Sequence, residues 1–71
     1  MTQPAAIELI EAALRELSIV THRVEERAFP DEKWLIAYVD LDNLAAAQSA
    51  AGEIERTLNS YEPGDLAPYA I

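Results

Sequence analysis

A chain of 71 residues without cysteine leaves no room for a second domain, a disulfide or a thiolate metal site. Thirteen acidic against five basic side chains give a formal net charge of −8, which opposes direct binding of nucleic acid or an anionic membrane and favours approach to basic surfaces. No apolar run nears the roughly 20 residues that span a bilayer, and the Met-Thr-Gln-Pro start lacks a signal peptide's basic and apolar regions, so a soluble cytoplasmic protein is expected.

Residues 1–71 read as a single domain. The first helix is expected over Pro4 to Leu17. Thr2 suits the N-cap, and Pro4 falls in the first turn, where its missing N–H costs little. Ile7, Ile10, Leu14 and Leu17 recur at helical spacing, with Glu8, Glu11, Arg15 and Glu16 largely on the other side. From Ser18 the period changes. Residues 18–41 read as a β-hairpin, with strands from Ile19 to Phe29 and from Trp34 to Leu41 around a Pro30-Asp31-Glu32-Lys33 turn. A four-residue loop there would set Phe29 opposite Trp34, Arg27 opposite Ile36, Glu25 opposite Tyr38 and Arg23 opposite Asp40. Residues 42–59 read as the second helix, capped by Asp42 or Asn43. Its inner stripe is Leu44, Ala47, Ala51, Ile54 and Leu58. Gly52 inside that helix suggests either close approach of another backbone or a helix that ends earlier. The tail, 60–71, holds a Pro63-Gly64 turn signal. Pro68 does not suit a central strand, so either a short edge strand at Tyr69-Ala70-Ile71 or a tail pinned through Tyr61, Leu66 and Tyr69 is expected.

The order implies a small two-layer α+β domain of α-β-β-α form, with an antiparallel hairpin and both helices on one face. The covered face would be Val20, Val24, Leu35, Val39 and Leu41. The other face would carry Phe29, Trp34, Ile36 and Tyr38 among Arg23, Glu25 and Arg27, an aromatic and aliphatic patch of the kind that marks an interface. A core this small also favours association, so a homodimer or a stable complex is expected.

Three motifs invite chemistry. Asp40-Leu41-Asp42, at the end of an apolar strand, resembles the first metal motif of palm-domain nucleotidyltransferases and the Asp-x-Asp of haloacid-dehalogenase-type phosphatases. That resemblance would make Asp40 and Asp42 magnesium ligands. The later acidic motif and the basic phosphate contact of those families are missing, and Leu44 stands where the phosphatases carry Thr or Val. A helix cap and a strand-end partner for Asp40 in Arg23 account for the same residues. Asp31-x-Lys33 is similar to half of a restriction-nuclease signature, and a turn explains it. His22, the single histidine, reads as a core or rim residue.

No catalytic set, metal site or cofactor is therefore expected. The chain reads as an acidic protein-binding module that inhibits or regulates a larger, basic, nucleic-acid-handling partner. Its size and charge are those of a phage-type inhibitor of a defence complex (anti-CRISPR-like) or of an antitoxin. The expected binding residues are Phe29, Trp34, Ile36 and Tyr38 as apolar anchor, with Glu25 and Glu26 steering the approach. The other classes are an oligomeric ligand-sensing domain and a magnesium-dependent phosphoryl-transfer fragment using Asp40 and Asp42.

Overall fold

The computed structural model describes residues 2–58, 61, 62 and 64–71. The elements are α1 (Gln3–Glu16), β1 (Thr21–Ala28), β2 (Lys33–Val39), a 3-10 turn (Leu41–Asn43), α2 (Leu44–Thr57) and β3 (Leu66–Ala70). They make a small α+β domain in which both helices pack on one face of a three-stranded sheet.

Local chemistry sets the ends of α1. The Thr2 hydroxyl accepts from the N–H of Ala5 at 3.3 Å, the N-cap expected from the sequence. At the far end Leu17 is the C-cap, and Ser18 follows with a left-handed φ of 61°. The N–H of Ser18 returns to the Arg15 carbonyl and that of Ile19 to the Leu14 carbonyl, at 2.9 and 3.0 Å. This is a Schellman closure with serine where glycine is usual. It reverses the chain at Leu17, so Ala6, Ile10 and Leu14 are buried while Leu17 stays exposed. Ile19 is drawn inward, and Val20 is exposed rather than part of the covered face.

The hairpin forms as expected, with its register slid by two residues. Arg27 faces Trp34, Glu25 faces Ile36 and Arg23 faces Tyr38. The Phe29 N–H closes the turn on the Glu32 carbonyl at 2.7 Å. A slip of two leaves every side chain on its expected face, because strand side chains alternate with period two. Between Thr21 and Arg23 the register breaks: His22 is an extra residue against β2, a β-bulge.

β2 is the central strand, and β3 lies parallel to it, with Leu35 opposite Leu66, Ala37 opposite Pro68 and Val39 opposite Ala70. A parallel neighbour requires a crossover, which the 3-10 turn and α2 supply. The strand begins at Leu66 rather than at the expected Tyr69 and runs through Pro68, because on an edge strand the missing N–H of proline is tolerated.

The core lies between helices and sheet: Ala6, Ile10 and Leu14 of α1, Ile19, Val24 of β1, Leu35, Ala37 and Val39 of β2, Ala47 and Ile54 of α2, Leu58 and Leu66. Full burial of a side chain such as Ile10, Leu14 or Leu35 contributes about 1.5–3 kcal/mol. The α2 stripe is as expected, Leu44 and Ala51 being partly buried beside it. Leu41 is 70% exposed, because the 3-10 turn begins there and lifts it off the sheet. Asn43 is the N-cap residue of α2, one of the two expected, yet neither it nor Asp42 makes a side-chain cap bond, since the 3-10 turn runs directly into α2. Gly52 has no neighbour within 4 Å of where a Cβ would stand, so no close backbone approach accounts for it. α2 ends with Leu58 as its C-cap, near the expected end, whereas Asn59 and the Pro63 of the turn signal lie outside the described residues.

Candidate functional site

The face of the sheet turned away from the helices is built by all three strands. β1 contributes Arg23, Glu25 and Arg27, and β2 contributes Trp34, Ile36 and Tyr38. β3 contributes Ala67, opposite Ile36, and Tyr69, opposite Tyr38. A groove of about 340 Å³ lies here, lined by Phe29, Glu32, Trp34, Ile36, Ala67 and Tyr69.

Ile36 is the floor of this groove rather than an exposed anchor. It is only 1% exposed, yet it stands outside the core beneath the helices. The larger side chains around it cover it. Phe29 and Tyr69 are 41% and 48% exposed, and Trp34 and Tyr38 are half-buried. A buried aliphatic floor within a rim of aromatic rings is the form of a preformed anchor pocket.

Tyr38 organises the neighbouring polar half. Its ring meets that of Tyr69 edge-on, with centroids 6.4 Å apart at 88°. The Arg23 guanidinium lies over the Tyr38 ring, 4.7 Å from its centroid. The Tyr38 hydroxyl donates to the Glu25 carboxylate at 2.6 Å, and Arg23 and Arg27 flank that carboxylate at 3.8 and 4.0 Å. The Tyr38 bond chiefly holds the Glu25 carboxyl below its ordinary pKa; partial burial acts the other way, and the two arginines reinforce the lowering.

Glu26 lies apart from this group. It points to the helix side, opposite Leu35. Its carboxylate accepts from the Gln3 side-chain amide at 2.9 Å and from the Tyr61 hydroxyl at 3.1 Å. Desolvation, and then the bond to Glu26 and its charge, push the Tyr61 phenol above its ordinary pKa. Glu26 thus ties helix, sheet and tail together. Phe29, Trp34, Ile36, Tyr38 and Glu25 share the open face, and Glu26 does not.

The residues that sequence reading missed are Ala67 and Tyr69. The strand signal at Leu66–Ala70 is interrupted by Pro68, and nothing local says which strand it joins. Asp40, the other residue singled out, pairs with His22 rather than Arg23. The His22 Nε2 and an Asp40 carboxylate oxygen are 2.6 Å apart. The bulge at His22 and the two-residue slip, which sets Arg23 against Tyr38, bring the imidazole there instead. Among the described residues no three His, Asp or Glu side chains gather as a metal cluster would require. Also among them, no helix is long and apolar enough to cross a membrane.

No known family model matches the chain, and comparisons with curated proteins and with solved structures find no match either. The site's own geometry therefore carries the functional reading.

Proposed function

We propose that the chain is a small protein-binding module whose open sheet face docks on a larger partner and inhibits or regulates it. The aromatic-rimmed groove over Ile36 carries this reading. It combines a buried aliphatic floor, partly exposed Trp34, Tyr69 and Phe29, and a polar flank ordered by Tyr38. Hot spots of protein interfaces are made of aromatic and arginine side chains in such settings. Two of the five basic side chains, Arg23 and Arg27, stand on this face, where Glu25 offsets part of their charge. The acidic excess therefore lies on the helices and loops around it. That surround would speed approach to a basic, nucleic-acid-handling partner and orient it, while the groove supplies short-range fit. Glu26 lies off this face, on the helix side, where its carboxylate holds Gln3 and Tyr61, so the docking surface does not include it.

The test is quantitative capture from host lysate on immobilised wild type, Trp34→Ala, Tyr69→Ala and, as an uncharged surface control on α2, Gln48→Ala. A partner retained by wild type and by the control but lost from both groove variants supports the reading. A partner held equally by all four would mean that the groove is not the docking surface.

A further inference from the structure

We propose that the outer edge of β1 is a self-pairing seam. Two copies of the chain join antiparallel through β1, about a twofold axis at Val24, into one six-stranded sheet. The inference is independent of the partner on the open face, which the pairing leaves uncovered and places twice on one side.

The backbone shows which edge is available. The Leu35 N–H donates to the Asp65 carbonyl and the Ile71 N–H to the Val39 carbonyl, at 2.9 and 3.1 Å. In a parallel ladder this turns Asp65, Ala67, Tyr69 and Ile71 toward β2, and Leu66, Pro68 and Ala70 outward. The Leu66 N–H is already taken by the Glu55 carboxylate at 2.7 Å, and Pro68 has none. Ala70 is thus the single free donor on that edge among the described residues. β1 is different. The hydrogen-bonded pair of Phe29 with Glu32 sets the alternation, so Arg23, Glu25 and Arg27 bond inward to β2. Val24, Glu26 and Ala28 then direct both N–H and C=O outward, and among the described residues no strand meets them. An open edge of this kind is a template for another strand.

Charge selects the occupant and the register. A twofold axis through the sheet keeps the open faces of both copies on one side, so only even registers are allowed. Centring on Glu25 sets it against itself and Arg23 against Arg27. Centring on Glu26 opposes two carboxylates that already hold Gln3 and Tyr61. Centring on Val24 sets Val24 against Val24, and Arg23 of each copy against Glu25 of the other. The contacts of Arg23 and Arg27 with Glu25 within one chain are long, 3.8 and 4.0 Å, which leaves Arg23 able to reach across. The sequence Arg23-x-Glu25 is thus its own complement in antiparallel pairing. The bulge at His22 ends the regular ladder after a few residues, so the dimer is weak and concentration-dependent.

Sedimentation from low micromolar to near-millimolar concentration tests this. Wild type should pass from monomer to dimer. Arg23→Glu should weaken the dimer about tenfold or more, since both cross-strand pairs become repulsive. The swap Arg23→Glu with Glu25→Arg should restore it, and Arg27→Glu should leave it nearly unchanged. Circular dichroism confirms that each variant is folded. Amide exchange on wild type needs no variant: the Val24 amide should slow as concentration rises. A wild type monomeric throughout overturns the proposal, including the case in which a partner's extended strand is the true occupant. So does a folded swap that fails to restore the dimer, or a dimer sensitive to Arg27→Glu and not to Arg23→Glu. Trp34→Ala should not affect dimerisation, so this seam and the groove reading succeed or fail separately.

Discussion

The N–H of Ile19 reaches back to the carbonyl of Leu14 at 3.0 Å across a serine held at a φ of 61°. Both Leu14 and Ile19 are core residues, so the closure that ends α1 also starts the buried path into β1. The left-handed conformation costs a non-glycine residue about 1–2 kcal/mol, and glycine gives back part of that gain as unfolded-state entropy. Ser18→Gly should therefore stabilise the fold by about 1 kcal/mol, and Ser18→Val should destabilise it by at least as much. Urea unfolding of the three proteins checks the order. Equal midpoints would mean that the strain at Ser18 is relieved elsewhere.

Gly52 offers a second gain by another route. It lies inside α2, and an added Cβ would meet nothing within 4 Å. The backbone freedom of glycine then has no native use, and Gly52→Ala should stabilise by about 0.5–1 kcal/mol. Thermal unfolding measures this. A loss of stability would point to a surface that closes on α2 only in a complex.

Thr21 presents the opposite problem, a polar atom with no use. Its hydroxyl oxygen is buried without a hydrogen-bond partner next to the bulge. Valine keeps the branched shape without the desolvation cost, worth about 1–3 kcal/mol for an unsatisfied group. Thr21→Val should raise the urea midpoint, and a lower midpoint would mean that water satisfies the hydroxyl in solution.

Which features were readable in the sequence follows from how local their causes are. Thr2, the hairpin and the inner helical stripes depend on neighbours within a few residues and stand where periodicity puts them, except Leu17, which the Schellman turn leaves exposed at the end of α1. The two-residue slip was not legible, because patterning distinguishes faces and is blind to a shift by two. Asn43 stands at the N-cap of α2 as expected, but its side chain makes no cap bond, because the preceding 3-10 turn leaves its backbone helical rather than in the extended form that a side-chain cap requires. The groove was half visible. Trp34, Ile36 and Tyr38 share strand parity, but Ala67 and Tyr69 reach the site only by a crossover that no local signal encodes.

The Tyr38–Glu25 bond makes a pH prediction whose sign is fixed. Glu25 is held below its ordinary value of 4.5, chiefly by the Tyr38 hydroxyl. A carboxyl with a depressed folded-state pKa binds protons more readily when unfolded. Its contribution is therefore complete above the unfolded pKa and is lost as pH falls through the folded one. Carboxyl NMR titration of Glu25 should give a midpoint below the ordinary value in wild type and a higher one in Tyr38→Phe. Identical midpoints would assign the lowering to Arg23 and Arg27 alone.

The Glu55 side chain joins α2 to β3 at one point, the Leu66 N–H, 2.7 Å from its carboxylate. Leu66 is itself a core residue, so this bond sets the start of the strand that completes the groove with Ala67 and Tyr69. A hydrogen bond to a charged acceptor contributes about 1.5–3 kcal/mol, and here its loss falls on an edge strand with one neighbour. Glu55→Ala should therefore loosen β3 before it unfolds the domain. Amide exchange should quicken at Ala67, Tyr69 and Ile71, whose N–H groups turn toward β2, while Arg23 and Glu25 in the hairpin keep their protection. Glu55→Gln retains an acceptor and should recover part of the effect. If exchange rises equally in hairpin and tail, β3 is not a separate unit, and the groove is as stable as the core beneath it.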